Sequence, residues 1–343
     1  MSRSSTPKAV TRNDVARLAG VSSAVVSYVI NDGPRPVAEA TRAKVLAAID
    51  KLGYRPNAAA RTLITGRSDL IGLIVPDVRN QYFAALAQAV EVAARDRGVN
   101  VVLTQGTTGR LLPLVEALSG HQVAGIITAT LPEPEATASL VRHRVQLVRL
   151  SLAQPSTEAI AFWPDYYGGA RCAVQHLIEV HGHQRIALVI GSDHPEAVGE
   201  PMDDRERGWR DALAAAGLIA ERRITAHWSS AGGRDAAKQL LERYPDSTAV
   251  FVSSDQQSIG LLAGLHRAGR TVPADLAVAS FDGSPEAEFT IPPLTTSSVP
   301  MAAMAADAVA RLLDGVDGVG GVGGVGGGQA HPTKLTVRHS CGC

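Results

Sequence analysis

A chain of 343 residues with 45% hydrophobic content is long enough for more than one folded unit and supplies sizeable cores. The formal net charge is zero, yet residues 1 to 68 hold eleven Lys and Arg against four Asp and Glu, a net +7 that the remainder balances with −7. This excludes a uniformly acidic chain and suits a basic, phosphate-neutralising head on an acidic body that keeps the protein in solution; a basic, partly disordered tail is the alternative, disfavoured by the capped, periodic helices of this segment.

The opening MSRSSTPKAV is polar, with no apolar core of a signal peptide, and no run reaches the ~18 apolar residues of a membrane span. A cytoplasmic protein without membrane contact is expected. In DVARLAGVSSAVVSYVIN, residues 14 to 31, Val15, Ala16, Leu18 and Ala19 recur at helical spacing. Gly20 and Val21 turn the chain, Ser22 stands as N-cap, and Val25, Val26, Val29 and Ile30 resume the period. Helix, turn and helix at this spacing predict a reader of the DNA major groove, although the same hairpin also serves as a plain structural corner.

The loop NDGPRPVAEA forbids helix, and TRAKVLAAIDKLGY predicts a third helix that buries Val45, Leu46, Ile49 and Leu52. In RPNAAARTLITGRSD, Asn57 caps a short predicted helix carrying Ala58, Ala59, Ala60 and Leu63, and Thr65, Gly66 and Ser68 then loosen the chain. The small residues permit close approach, and Leu63 offers an apolar wedge. The expected organisation is a headpiece over 1–56, a hinge helix and linker over 57–68, and a body over 69–343.

From residue 70, short β-branched runs alternate with helical segments: LIGLIVP, QYFAALAQAVEVAARDRG, VNVVLTQ, a helix and VAGIIT. A second series runs RIALVIG, DRERGWRDALAAAG, ITAHW, GRDAAKQLLERY, AVFVSS, QQSIGLLAGLHRAG and LAVASF. Both predict doubly wound parallel sheets, so the fold class is α plus α/β with two facing lobes. Ligands of such sheets sit beyond the carboxyl ends of the strands. The polar residues there are Asp77, Asn80, Asp193, Ser254, Asp255 and Asp282, with Asp165 and Arg205 on loop or helix-start positions. Carboxylates, amides and Arg bind sugar or nucleoside hydroxyls directionally, and Phe83, Trp163 or Trp228 could cover an apolar face. Taken singly, each of these is equally well read as a helix cap or a core aromatic.

Several motifs are declined. GVDGVGGVGGVGGG follows a helix and repeats itself, so the Gly-rich stretch 315–330 is read as a flexible loop before the predicted strand TKLTVRHS rather than as a dinucleotide fingerprint. His181 and His183 lie on a helix-to-strand connector, where turn structure is preferred over metal binding. Cys172 is expected as a buried small hydrophobe. The final Cys341-Gly342-Cys343 could bind metal or oxidise but is read as a frayed tail. No Ser/His/Asp arrangement has the context of a nucleophilic site, and no cofactor or metal is expected.

With these stretches assembled, the chain resembles the LacI/GalR family of transcriptional regulators from about Val10 to Cys341. The likeness rests on VTRNDVARLAGVSSAVVSYVIN, ATRAKVLAAIDKLGYRPNAAARTL, IGLIVPDVRNQYFAAL, HGHQRIALVIG, DRERGWRDAL and FDGSPEAEFTIPPLTT, in that order. The resemblance implies a homodimer on a palindromic double-stranded operator, hinge helices in the minor groove, and a two-lobed periplasmic-binding-protein-like body that holds a small effector, of sugar class. By position it places Ser23, Ala24, Val25 and Tyr28 towards base edges and makes Leu63 the wedge. Ser22, Asn31, Asn57 and Ala60 complete the DNA-facing set, with Arg12, Arg17, Arg35 and Arg61 as phosphate contacts. The effector set is Asp77, Asn80, Phe83, Asp165, Arg205, Trp228, Ser254, Asp255 and Asp282.

Four departures stand out. Many relatives carry Thr at Val25, Arg at Tyr28 and Asn at Ser254. Val25 can pack on a thymine methyl, and Tyr28 can reach a phosphate or base or pack on the third helix. The segment between Thr104 and Val123 is also several residues shorter than in typical relatives. Two other function classes make different demands on the sequence. A solute-binding protein would share the body but not the headpiece, and an enzyme would need a catalytic constellation in the cleft. With no heptad tail after the core, a coiled-coil tetramer is not expected. The reading is a ligand-controlled DNA-binding regulator, a repressor, and not an enzyme.

Overall fold

The computed structural model describes residues 10–31, 33, 35–55, 68–151, 159–193, 202–315 and 327–343. The chain divides into two compact units, Met1–Asp69 and Leu70–Cys343. The hinge positions Asn57, Ala60, Arg61 and Leu63 lie outside the described residues, as does most of the Gly-rich run.

In the first unit, α1 (Arg12–Ala19), α2 (Ser23–Asn31) and α3 (Glu39–Leu52) surround Val15, Ala16, Val26, Val29, Val45 and Ala48. The Asp14 carboxylate accepts from the Thr11 amide at 3.0 Å and the Thr11 hydroxyl at 2.6 Å, which satisfies the start of α1. Gly20 closes α1 at φ 67°, a left-handed position that costs glycine nothing. The expectation that Leu46 is buried is corrected: it is 50% exposed, and Leu18 is 44% exposed. Residues 45, 48, 49 and 52 make the inward stripe of α3, and Leu46 lies about 100° off it, since each residue advances a helix by that angle.

In the second unit, β1 (Leu70–Val75), α4 (Gln81–Asp96), β2 (Asn100–Gln105), α5 (Leu112–Gly120), β3 (Gly125–Thr128), α6 (Pro134–His143), β4 (Gln146–Leu150) and β5 (Ile160–Pro164) build a first lobe. The second lobe follows as α7 (Tyr166–Glu179), β6 (Ile186–Ser192), α8 (Asp204–Ala215), β7 (Arg223–His227), α9 (Ser230–Arg243), β8 (Ala249–Val252), α10 (Asp255–Arg267), β9 (Ala277–Asp282) and β10 (Thr295–Ser298). The chain then returns to the first lobe as α11 (Met301–Asp314) and β11 (Gly328–His331) before β12 (Lys334–Thr336). The strand orders are β2-β1-β3-β4-β5-β11 and β7-β6-β8-β9-β10-β12. Every pairing is parallel except β10 with β12, an antiparallel edge.

The central strands are apolar on both faces, as helix-covered parallel sheets require: Ile71, Leu73, Ile74 and Val75 of β1 are buried, and so is all of β8. The backbone passes between lobes from β5 to α7, from β10 to α11 and from β11 to β12. The shortened segment after β2 still forms α5, because the Glu133 carboxylate accepts from the Leu111 and Leu112 amides at 2.7–3.0 Å and satisfies its open start.

Two cysteine expectations are corrected. Cys172 is exposed, because the inward face of α7 is taken by Gly169, Ala170, Ala173, Val174 and Leu177. The Cys-Gly-Cys is not frayed: His339–Cys341 forms a 3-10 turn, and Cys341 is buried. Its Sγ lies 3.0 Å from Thr295 Oγ1 of β10.

Candidate ligand cleft and nucleic-acid interface

On the headpiece, Ser22, Ser23 and Ala24 are exposed at the start of α2, while Val25 and Tyr28 are half-buried. The Ser22 Oγ accepts from the Val25 amide at 3.3 Å, so Ser22 acts as the cap. The Tyr28 ring lies against the backbone of Gly33, where an added Cβ would come within 2.6 Å of it. The packing partner is therefore the loop after α2. Arg35 and Arg17 are exposed and Arg12 half-exposed, and Arg17 pairs with Asp14 at 3.1 Å. Asn31 ends α2. Small polar groups at the exposed start of α2 make a surface able to enter a groove, and the exposed Arg17 and Arg35 carry guanidinium groups able to meet phosphates.

In the body, residues after the strands divide into two kinds. Asn80, Asp165 and Ser254 are helix N-caps: their side chains accept from the Tyr82, Gly168 and Gln257 amides at 3.0, 2.8 and 3.2 Å. Asp77 is engaged by Arg79, whose Nε and Nη2 donate to its two oxygens at 3.0 Å each. Those hydrogen bonds hold the Asp77 carboxyl below its ordinary range. Asp193 is exposed at the end of β6, and Trp163 lies over Gly328 of the neighbouring β11.

The second kind converges on Arg205. Its Nε and Nη2 donate to the two Asp203 oxygens at 2.9 Å each. Its guanidinium lies 4.5 Å from the Tyr166 ring centroid, 4.7 Å from Trp228 and 5.7 Å from Phe281. Only 11% of the side chain is exposed. Burial opposes the charge of Arg205, but Asp203 outweighs it and the guanidinium stays protonated; in return Arg205 overcomes the burial of Asp203 and holds it below the usual carboxylate range.

Asp282 ends β9 beside this group at φ 117°, a strained position for any residue with a side chain. It accepts from the Asp255 amide at 3.3 Å. Burial and the Asp255 charge push the Asp282 carboxyl well up, with Arg205 as a partial counterweight. Asp255 is itself held in place: its two oxygens accept from the Ser284 amide at 2.7 Å and the Thr296 hydroxyl at 2.8 Å.

The first lobe adds Tyr82 and Phe83 in the first turn of α4, edge to face at 5.2 Å. The Tyr82 hydroxyl lies 2.6 Å from Ser151 Oγ, and the Tyr166 hydroxyl donates to the Ser151 carbonyl at 2.9 Å. Burial raises both phenols, Tyr166 to about 12, so both remain neutral.

Sequence reasoning named Arg205, Trp228, Asp255 and Asp282, which the structure brings together, but not Asp203, Tyr166, Tyr82, Ser151 and Phe281, which pack with them. It also missed Gln257, whose amide donates to the Ala226 and His227 carbonyls at 3.3 and 3.0 Å and fixes the strand end that carries Trp228. A signal for Asp203 was available: an Asp two residues before an Arg at a helix start is placed both to cap and to pair. A stacked guanidinium, planar carboxylates and neutral phenols form a lining suited to a polyhydroxyl compound.

Residues 11–57 match the family model for bacterial regulatory proteins of the lacI family, and residues 174–341 match that for a periplasmic binding protein-like domain. The chain is 36% identical to the HTH-type transcriptional regulator CelR of Thermobifida fusca, across 88% of this chain and 90% of that one. With GalR of Escherichia coli K12 it shares 34% identity over 87% of each. Among solved structures, the lac repressor dimer bound to operator and the anti-inducer ONPF superposes with a TM-score of 0.82 at 28% identity, covering 97% of this chain and 99% of that one. A complex of CelR with cellobiose gives 0.70 at 32% identity, covering 96% and 99%.

Proposed function

The chain belongs to the LacI family of bacterial regulatory proteins, and from that premise we propose that it represses transcription as a homodimer on a palindromic operator, under control of a sugar bound between the lobes of its body. The observation that carries the effector half is the Arg205 group, where a guanidinium paired with Asp203 lies among Tyr166, Trp228 and Phe281 beside Asp282. The complex of CelR with cellobiose supports the ligand class. Arg205 and Asp282 bind hydroxyls, Trp228 covers the apolar face of the ring, and Asp77, Asn80, Phe83, Asp165, Ser254 and Asp255 shape or hold the walls.

On the DNA side, Ser22, Ser23, Ala24, Val25, Tyr28 and Asn31 face the major groove. Arg12, Arg17, Arg35 and Arg61 meet phosphates, Asn57 and Ala60 belong to the hinge, and Leu63 is the minor-groove wedge. Control requires that the effector bind one conformation of the body more tightly than the other, since equal affinity shifts no equilibrium.

The test is selection of bound sequences from random duplex DNA by the full chain, repeated with a panel of mono- and disaccharides and nucleosides. A palindrome should be enriched, and one sugar should abolish the enrichment. No enrichment under any condition would overturn the DNA half. Enrichment indifferent to every sugar would overturn the effector half. Replacing Leu63 with Ala should weaken operator binding more than random-DNA binding, because the wedge goes and the charges stay.

A further inference from the structure

On the second lobe, away from the Arg205 group, two histidines and two cysteines from distant parts of the chain meet. His176 lies in the last turn of α7, and His181 follows in the connector to β6. Opposite them, the 3-10 turn His339–Cys341 presents Cys341. Gly342 at φ 108° then reverses the chain so that Cys343 returns to the same side. His176 Nε2 lies 3.4 Å from Cys341 Sγ and 3.6 Å from Cys343 Sγ, and His181 Nε2 lies 3.3 Å from Cys343 Sγ. All four ligand atoms are within 4.8 Å of one another. We propose that His176, His181, Cys341 and Cys343 bind a single divalent cation of the zinc class in tetrahedral geometry.

Metal bonds of about 2.3 Å to sulfur and about 2.05 Å to nitrogen, set at tetrahedral angles, separate neighbouring ligand atoms by about 3.3–3.8 Å. The three His–Cys edges of 3.4, 3.6 and 3.3 Å fall in that range, and the remaining pairs lie within 4.8 Å. Simple hydrogen bonding accounts for the cluster less well. Cys343 Sγ is within reach of both imidazoles and His176 Nε2 of both thiols, so four atoms that can each lend an electron pair converge on one point, where a hydrogen bond needs only two. Thiolate with imidazole selects zinc-like cations over magnesium or calcium, which take oxygen donors.

Neighbouring groups complete the site. Thr295 Oγ1, 3.0 Å from Cys341 Sγ, is placed to donate to a thiolate there. His183 stands outside the cluster: its ring centroid lies 6.1 Å from that of His181, and it is not among the four residues whose ligand atoms come within 4.8 Å of one another. Gly342 suits this turn: its left-handed backbone strains any other residue, and a Cβ there would press on His181 Nδ1 at 3.3 Å. With Cys341 buried, the histidines half-buried and Cys343 exposed, the site is closed on its inner side and open to an entering ion. The cation would staple the segment after β12 to the end of α7 and stabilise the second lobe, because ligation favours the folded state.

The test uses the full chain, stripped with a chelator, kept reduced with a phosphine and titrated with Co2+ and then Zn2+. One equivalent of cobalt should give the intense visible bands of a tetrahedral ion with sulfur-to-metal charge transfer. Stoichiometric zinc should displace it, and zinc should raise the melting temperature. Cys343→Ser and His181→Ala should each weaken binding by at least about 100-fold, as expected for loss of a ligand. Both should melt like the metal-free wild type. Cys343 is exposed and His181 only half-buried, so neither change opens the core. A weak octahedral cobalt spectrum, binding that survives both substitutions together, or a Cys341–Cys343 disulfide with no metal uptake under these reducing conditions would overturn the proposal.

Discussion

The pair Asp203–Arg205 lends itself to a quantitative prediction, because its two partners differ in exposure. Replacing Arg205 with Met removes a bidentate, charge-assisted contact with two 2.9 Å bonds and the stacking of a cation at 4.5 Å on Tyr166 and 4.7 Å on Trp228. Breaking a fully buried pair costs about 3–5 kcal/mol. Asp203, however, keeps 32% of its side-chain exposure and can be rehydrated, so the ionic part is discounted. With about 0.5–1 kcal/mol for each lost cation–aromatic contact, the expected loss is about 2–3 kcal/mol.

The assay is a double-mutant cycle of Arg205→Met and Asp203→Asn on the full chain, read by denaturant unfolding of the body. The coupling energy should be about 1.5 kcal/mol. Arg205→Lys, which keeps the charge but not the fork or the planar stack, should recover less than half of it. A coupling below about 0.5 kcal/mol would show that water screens the pair as it does a surface ion pair, and the description of Arg205 as a desolvated, oriented group would fail.

Other perturbations address separate features. Asp282 is raised by burial, so its protonated form favours the fold: that contribution is complete below about pH 3.9, the ordinary Asp value, and is lost as pH climbs towards the raised value. Asp282→Asn should therefore melt above the wild type at pH 7 and match it near pH 4, and a wild type that gains stability relative to the variant as pH rises would refute the assignment. A Cβ at Gly191 would overlap the Trp228 indole, so Gly191→Ala should cost about 1–3 kcal/mol and shift tryptophan emission; an unchanged spectrum would show that the ring does not rest there. At Gly20, φ is 67° with nothing within 4 Å of an added Cβ, so Gly20→Ala pays only the backbone term of about 1–2 kcal/mol, measurable as headpiece unfolding by amide exchange. Finally, log–log plots of DNA affinity against salt should slope at about −0.9 for each phosphate neutralised, and Arg35→Ala should flatten the slope by about one phosphate.

The fold was legible because its signals are local and repeated. An unbroken apolar run such as Leu70–Val75 can satisfy a sheet covered on both sides, and the alternation of such runs with helices dictates parallel pairing. Errors arose where neighbours, not periodicity, decide. Leu46 has the right residue type one helical position away from the inward stripe, and Cys172 sits on the outer face of α7. Strand-end polarity marked the region where the Arg205 group assembles but did not separate helix caps from the residues that converge there. Asn80, Asp165 and Ser254 are capping residues, and a cap and a binding group use the same residue types for the same hydrogen-bonding reason. Tyr82, Ser151 and Tyr166 join only through tertiary contacts, and the His176, His181, Cys341 and Cys343 cluster spans 168 positions of sequence, so no spacing rule for metal ligands reaches it.

The placement of Ser151 bears on how a ligand could control this body. Ser151 follows β4 of the first lobe at φ 65° and binds Tyr82 of the first lobe and Tyr166 of the second through different atoms. Tyr166 also lies under Arg205, so one chain of contacts runs from α4 across the crossover to the Arg205–Trp228 stack. A ligand that touched Arg205 alone would bind equally well whatever the first lobe did, and would shift nothing. One that also reaches Tyr82 or Phe83 gains those contacts only when the lobes stand at one separation, and that difference in affinity is what can move the equilibrium. The strained backbone at Ser151 and the tyrosine hydroxyls around it are therefore where differences between liganded and free states should concentrate, ahead of the well-anchored Asp255 with its two firm donors.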